Sequence, residues 1–271
     1  MHRNASYAIS AQPMPRRRRA FSLVELLISL AVVLVLISML LPLLHHARAA
    51  SLVTVCQSNL RQIGMGYQGY LQDFERFPGV TDARASAEWR YGGVEFLGDE
   101  RVPVIAADRP INAYLAPTTN TDLLRTAHVF RCPADRGVAQ GTALPGQPLT
   151  WDDADAHVPL FERFGTSYLA NPRLSDRNRA LGLPSDSSVS PEPLHVQEIS
   201  VATSRLLVAG DPIWHHATFE TRTDDDPALS DLSWHTAPRY GNALTADGSV
   251  RYLAFDGPES NSYTLLAAPS R

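Results

Sequence analysis

The chain has few of the features that mark a nucleic-acid-binding protein or a disulfide scaffold. It has 271 residues and a net charge of −4, and because it contains no lysine, all 24 basic side chains are arginines. A nucleic-acid interface gathers basic residues on one face, whereas the only basic run here is residues 16–19. Two cysteines are too few for a disulfide scaffold. We therefore expect no nucleic-acid partner and at most one disulfide.

The usual sequence signatures of catalysis are also missing. There is no glycine-rich phosphate loop, no Gly-x-Ser-x-Gly elbow and no His-Glu-x-x-His helix. An acid–base or metal site built from His215, His216 and His235 with Asp211 or Asp247 has only residue type in its favour. We interpret these histidines as surface or packed side chains, and we expect no metal site and no enzyme activity.

Two interpretations of the cysteines remain open. Packing alone explains both, with Cys56 on the apolar face of a predicted helix and Cys132 at the end of a predicted strand. The alternative is one disulfide between Cys56 and Cys132, provided that this part of the chain lies in an oxidising compartment.

What the chain does contain is an apolar run of 24 residues, 21–44. A helix of that length spans about 36 Å at 1.5 Å per residue, which exceeds the roughly 30 Å of a bilayer's hydrocarbon core. The run is too long for a secretory signal, whose apolar stretch has about 7–15 residues. Four preceding arginines favour an N-terminus in the cytoplasm. We predict a single-pass anchor in the inner membrane.

One charge, Glu25, interrupts this run, although a charge costs about 2.5–3.5 kcal/mol at the centre of a membrane helix. The residues around it, Arg16–Arg19 followed by Ala20-Phe21-Ser22-Leu23-Val24-Glu25, resemble the cleavage and methylation signal of bacterial type IV pilins and type II secretion pseudopilins. The family usually has glycine where this chain has Ala20.

The resemblance implies processing and assembly. Prepilin peptidase would remove a cytoplasmic leader, residues 1–20, by cutting between Ala20 and Phe21, and would methylate the new amine of Phe21. Glu25 would then pair with that amine in a neighbouring subunit, or with the amine of its own chain before assembly. Pro42 occupies the position at which many members carry a helix-bending proline. The implied partners are prepilin peptidase, other pilin or pseudopilin subunits and an inner-membrane assembly platform.

The next segment, residues 45–78, continues the helix in amphipathic form. Its apolar residues recur at steps of three and four, which is the helical period, and Pro78-Gly79 is predicted to end it. The run Cys56-Gln-Ser-Asn-Leu-Arg-Gln-Ile-Gly64 is similar to one subgroup of prepilin-like proteins that have a globular, β-rich domain.

Residues 79–271 read as a β-rich head. Short apolar runs separated by turn residues predict strands, and Asp247-Gly248 predicts a tight hairpin turn. The predicted strand segments are 128–133, 166–171, 204–211, 242–257 and 262–268, and most of them resemble segments of the same subgroup. That subgroup usually has a histidine ten residues before the Asp-Gly, where this chain has Ala237, with His235 two residues earlier. Residues 134–155 and 175–192 are predicted loops.

Acidic residues gather at 152–155 and 224–226. Hard cations such as calcium favour carboxylates in loops, and the resemblance admits a structural calcium in the head. Neither cluster has the spacing of a known calcium loop, so we interpret both as solvated turns.

Together these features predict an α+β, pilin-like fold in which a long N-terminal helix, half of it transmembrane, packs on an antiparallel β-sheet head. The predicted function is that of a minor pilin or pseudopilin, with the head outside the cytoplasm, in the periplasm or in a surface filament. The alternative is a periplasmic binding or enzymatic domain that uses the helix only as a single-pass anchor.

Overall fold

The structure, a computed structural model, has one long helix, several short helices and two antiparallel sheets among its described residues. These are residues 22–79, 91–97, 102–105, 109–115, 127–137, 158–184, 191–215, 234–235, 237, 239–257 and 260–268. The chain divides into two units, residues 1–46 and residues 47–271. We call the second unit the head and describe each unit by itself.

The long helix, α1, runs from Leu23 to Phe74 and includes Pro42. Its large apolar side chains up to Leu44 are all exposed, each by 46–73%. The helix ends at Phe74, four residues before the predicted end at Pro78, because Glu75 takes a left-handed conformation with φ of 53°. Such a residue commonly terminates a helix.

From residue 47 onward, α1 belongs to the head and buries one face in it. Cys56, Leu60, Ile63 and Tyr67 are buried, and their spacing of four, three and four residues is that of one helical face. Fully burying a leucine or isoleucine side chain is worth about 1.5–3 kcal/mol. The amphipathic pattern predicted for this segment is therefore the face that joins the core of the head.

The main sheet has four antiparallel strands in the order β3-β4-β5-β6. The strands are β3 (Leu169–Ala170), β4 (Leu207–Gly210), β5 (Tyr240–Thr245) and β6 (Val250–Ala254). Helix α1 is held to the turn between β5 and β6, since Gln68 Nε2 donates a hydrogen bond to the carbonyl of Ala246 at 2.8 Å. The α+β class, with a long helix and an antiparallel sheet, is as predicted.

Several short elements differ from the sequence prediction. A hairpin of β1 (Val94–Leu97) and β2 (Val102–Ile105) was not predicted. The predicted strand at 128–133 is wrong, because His128–Phe130 form a 3-10 turn. The segment 262–268 contributes only one isolated bridge, between Thr264 and Leu206. Apolar runs this short do not distinguish strand from helical turn by periodicity.

Three short α-helices lie in the described part of the head: α2 (Asn112–Leu115), α3 (Leu160–Phe164) and α4 (Arg177–Ala180). Pro172–Ser175 and Val196–Glu198 form further 3-10 turns. Helix α4 lies inside a predicted loop. Its N-cap is Asp176, whose carboxylate accepts hydrogen bonds from the N–H groups of Asn178 and Arg179. This cap supports a single turn that the apolar pattern alone does not reveal.

Gly165, which ends α3, allows a sharp test of the packing of α3 against β1. Both Gly165 and Gly182 are left-handed, with φ of 76° and 68°. A Cβ at Gly165 would lie 1.6 Å from the carbonyl oxygen of Val94, whereas a Cβ at Gly182 has no neighbour closer than 3.8 Å. Gly182→Ala should cost about 1–2 kcal/mol for the left-handed backbone alone. Gly165→Ala should cost clearly more, because β1 must move.

The free energies of unfolding of both variants, from denaturant titration of the full chain in detergent with tryptophan fluorescence, measure the difference. Equal losses for the two variants would show that β1 does not press on α3.

The hairpin between β5 and β6 predicts a pH dependence of stability. Burial acts to raise the pKa of Asp247, but hydrogen bonds from the Ser249 N–H and from the Thr245 and Ser249 hydroxyls outweigh it, so the pKa of Asp247 is lowered. A lowered carboxyl pKa stabilises the fold above the ordinary value of about 3.9 and loses that contribution as the pH falls through the folded-state pKa.

The melting temperature should therefore fall as the pH drops from about 5 to about 3, and Asp247→Asn should reduce that fall. The difference should be small, because Asp247 is exposed and water screens its interactions. If the melting temperatures of Asp247→Asn and the parent chain fall equally with pH, Asp247 does not contribute to the loss of stability in acid.

Candidate functional site

The first candidate site is the beginning of α1, where Glu25 lies. The predicted cleavage residues, Ala20 and Phe21, lie outside the described residues. From Ser22 onward the chain is described, and the Ser22 N–H donates a hydrogen bond to Glu25 Oε2 at 3.1 Å. Ser22 Oγ in turn accepts a hydrogen bond from the N–H of Val24 at 3.4 Å.

This pattern is a variant of the capping box, in which a serine N-cap and a glutamate three residues later satisfy backbone N–H groups at the helix start; here Ser22 Oγ bonds the N–H of Val24 and not that of Glu25. Sequence reasoning missed it, although the Ser-x-x-Glu spacing is its signature. Glu25 thus has two roles to consider. It accepts a hydrogen bond from Ser22 within its own helix, and its charge is expected to pair with the amine of another subunit. The two roles make different demands, because only the second requires a negative charge.

The surface that follows Glu25 is apolar on every side. Between Leu23 and Leu44 the large apolar side chains are exposed, and an 18-residue window of α1 has a mean hydropathy of 2.9 with none of it buried. By length and composition this part of α1 is suited to cross a membrane. Ser29 and Ser38 direct their hydroxyls to the carbonyls of Leu26 and Val35, which satisfies their polar groups inside the helix.

The same segment matches a known family. Residues 15–41 match the family model described as the prokaryotic N-terminal methylation motif. The chain carries this methylation motif. The motif is the prepilin-peptidase signal of type IV pilins and pseudopilins, and its matched range includes Ala20, Phe21 and Glu25. The methylation motif supports a prepilin-peptidase substrate that is anchored by its apolar helix.

Outside residues 15–41, the comparisons with known proteins give no match. No curated protein and no solved structure matches the chain.

The second candidate site is a buried group in the head, which we call the cysteine–histidine cluster: Cys56, Cys132, Asp211, His235 and Asn242. A disulfide joins Cys56 of α1 to Cys132, with their Cα atoms 5.4 Å apart. Cys132 does not end a strand, as predicted, but follows the 3-10 turn 128–130. Of the two interpretations, the structure therefore supports the disulfide. It links α1 covalently to the loop that contains Cys132.

His235 lies beside this disulfide. Its Nε2 is 3.9 Å from Cys132 Sγ, 3.2 Å from Asp211 Oδ2 and 3.2 Å from Asn242 Nδ2. The side chains of His235 and Asp211 are only 1% and 2% exposed. His235 is thus a packed histidine with a carboxylate partner. The sequence suggested this pair only as one of several possible combinations.

Asp211 is held by the neighbouring strand. Its Oδ2 accepts hydrogen bonds from the backbone N–H of Asn242 at 2.7 Å and from Asn242 Nδ2 at 3.0 Å. Asp211 directly follows β4 and Asn242 lies within β5. The pairing of these two strands therefore sets the position of the carboxylate that faces His235.

Side-chain amides join several of the segments that resembled the prepilin-like subgroup. Asn59 of α1 donates hydrogen bonds from Nδ2 to the carbonyl of Arg131 at 2.9 Å and to Tyr168 Oη at 3.3 Å. Asn171 donates to the carbonyls of Leu207 and Leu265, both at 3.0 Å. The sequence alone does not identify these polar residues as functional or structural contacts, because their partners lie far away along the chain.

Asp135 organises the loop that contains Cys132. Its carboxylate accepts hydrogen bonds from the N–H groups of Gly137, Leu160 and Phe161 and from Ser167 Oγ. Burial raises the pKa of Asp135, and these hydrogen bonds oppose the rise. Asp135 thereby caps the start of α3 and ties it to the cysteine loop.

Among the described residues, His215 and Asp247 do not join the cluster. His215 packs against Trp214, with ring centroids 5.4 Å apart, and the partners of Asp247 are Thr245 and Ser249. His216 and the acidic segments 152–155 and 224–226 lie outside the described residues, so a calcium site there stays a prediction.

The disulfide should contribute measurably to stability. It closes a loop with a sequence separation of 76 residues, for which the chain-entropy model gives about 4.5 kcal/mol. The double variant Cys56→Ala/Cys132→Ala should lose a free energy of unfolding of this order. Addition of a reductant should destabilise the parent chain and leave the double variant unchanged. A parent chain that is insensitive to reductant would argue against a structural disulfide.

Proposed function

We propose that this protein is a structural subunit, a minor pilin or pseudopilin, that assembles through α1 into a type IV pilus-like or type II secretion filament. The observation that carries the proposal is the methylation motif at residues 15–41, continuous with an exposed apolar helix whose first turn holds Glu25. Processing by prepilin peptidase between Ala20 and Phe21, with methylation of Phe21, precedes assembly.

The exposed apolar side chains of residues 23–44 need an apolar environment. Lipid provides it before assembly, and the same helices of neighbouring subunits provide it in a filament, where van der Waals packing and polar contacts replace lipid contacts. The helix in this segment has no polar face, which suits a helix that is surrounded by similar helices.

Glu25 supplies the register in this scheme. Cleavage before Phe21 creates an amine with a reference pKa of about 7.7–8.0, which is largely protonated at neutral pH or below. A glutamate in an apolar bundle is stabilised when it meets such a cation. A single ionic contact per subunit therefore favours one axial offset between neighbouring helices, as a single polar residue does in coiled coils.

The head is assigned to the far side of the inner membrane. Arginines 16–19 precede the helix, and positive residues favour the cytoplasmic side. The Cys56–Cys132 disulfide supports the same placement, since disulfides persist in oxidising compartments such as the periplasm. An inner-membrane assembly platform and other pilin or pseudopilin subunits are the partners of this scheme.

The capping box makes a discriminating test of Glu25 possible. Glutamine preserves a capping box but carries no charge, whereas Ser22→Ala removes the cap and keeps the charge. If Glu25 acts through its charge, Glu25→Gln and Glu25→Ala should both lose filament incorporation at least tenfold, and Ser22→Ala should retain it. If Glu25 acts only as a cap, Glu25→Gln should behave like the parent chain.

Incorporation is measured by quantitative immunoblotting of sheared or purified filaments from the native host, with Ser29→Ala as the matched control on the same helix. Mass spectrometry of the N-terminal peptide in each variant separates processing from assembly. A parent chain that begins at a methylated Phe21 supports the proposal. A retained leader, with normal activity of the head, would instead indicate a tethered periplasmic domain.

A further inference from the structure

The cysteine–histidine cluster contains a donor set that the filament role does not use. One ligand atom from each of Cys56, Cys132 and His235 lies within 4.8 Å of the others. All three side chains are buried or nearly so, and they come from three distant parts of the chain: α1, the loop after the 3-10 turn 128–130, and the segment before β5.

We propose that in its dithiol state the chain binds one Zn²⁺ ion through Cys56, Cys132 and His235, and that the disulfide and the ion are alternative links between α1 and the head. Two thiolates and an imidazole form a donor set that zinc adopts with an open fourth position, and soft sulfur ligands select zinc over hard cations. Sulfurs joined in a disulfide are no longer thiolates, so the ion and the disulfide exclude each other.

The geometry around His235 fits a tetrahedral site. Zinc binds nitrogen and oxygen at about 2.0–2.2 Å, so two such ligands on one tetrahedral ion lie about 3.3 Å apart. His235 Nε2 and Asp211 Oδ2 are separated by 3.2 Å. Asp211 is therefore the oxygen best placed, among the described residues, to complete the coordination.

Unsatisfied polar atoms give independent support. His235 Nδ1, Asp211 Oδ1 and Asn242 Oδ1 are buried and have no hydrogen-bond partner among the described residues. A buried polar atom without a partner costs about 1–3 kcal/mol, so three in one cluster are unusual for a site that serves packing alone. A cation would give the Asp211 carboxylate a full partner and would neutralise the two thiolates.

Without an ion the two buried cysteines of the dithiol form are neutral thiols, because burial disfavours the thiolate. An ion would allow both sulfurs to ionise beside the Asp211 carboxylate, since buried charges are tolerated when they are paired or coordinate a metal. Binding of Zn²⁺ to two thiols releases their two protons. The ion would then hold the same two segments together that the disulfide joins after oxidation.

The test uses the full chain in detergent, reduced with a water-soluble phosphine. The phosphine and one water convert the disulfide into two thiols, and the phosphine becomes its oxide, so that no competing thiol is added. After removal of the reagent, Co²⁺ serves as the optical probe, because thiolate ligands give it a sulfur-to-metal charge-transfer band. Zn²⁺ is then added to displace it.

The reduced parent chain should bind one Co²⁺ with a charge-transfer band that Zn²⁺ abolishes, and the oxidised chain should show no such band. Cys56→Ser should lose the band. His235→Ala should weaken binding at least tenfold, whereas His215→Ala, at a histidine outside the cluster, should not change it. Asp211→Asn should weaken binding about 10–100-fold, as loss of a supporting carboxylate does.

His235→Cys guards against a trivial loss of folding. This substitution replaces one ligand by another, so it should retain cobalt binding and strengthen the sulfur band, with the fold checked by circular dichroism. A folded, reduced parent chain without the band would overturn the proposal, as would undiminished binding in His235→Ala or equal binding by the oxidised chain.

Discussion

The covalent link between Cys56 and Cys132 is the constraint on which the rest of the head depends. It fixes α1 at the point where its buried face begins, and Asn59, one turn later, repeats the attachment through the carbonyl of Arg131. A helix held at one point can still rotate about its axis. A second contact one turn along removes that freedom and aligns Leu60 and Ile63 with the core.

The head is built so that distant segments share one buried polar centre. Next to the disulfide lies His235, which contacts Asp211 after β4 and Asn242 in β5. A separate hydrogen bond, from Ser167 to Asp135, orders the loop that contains Cys132. A slip of β4 or β5 would remove the hydrogen bonds that Asp211 Oδ2 receives from Asn242, and buried hydrogen bonds of this kind help to specify one arrangement. A one-residue slip of β5 would also turn Asn242 away from Asp211.

Sequence reasoning was strongest where one residue pattern has one structural meaning. The long apolar run and the steps of three and four after it predicted α1, and Asp247-Gly248 predicted the β5–β6 turn, because both signals are local. It failed where meaning depends on distant partners. The strand predicted around Phe130 is a 3-10 turn, and the pairing of His235 with Asp211 could not be chosen from several equivalent combinations without strand register. The spacing Ser-x-x-Glu from Ser22 to Glu25 would have predicted a helix cap, whereas the family resemblance implied only a role for the charge of Glu25.

The position of the first helical residue has a consequence for the proposed mature protein. Because α1 begins at Leu23, a cut between Ala20 and Phe21 would leave only two residues before the helix. The new amine would then stand at the positive end of the helix macrodipole, where a cation is disfavoured and an anion is stabilised. In an isolated subunit Glu25 moderates this unfavourable concentration of positive charge. If the glutamate of a neighbouring subunit neutralises this positive charge, the associated state is more favourable than the separate subunit in the membrane.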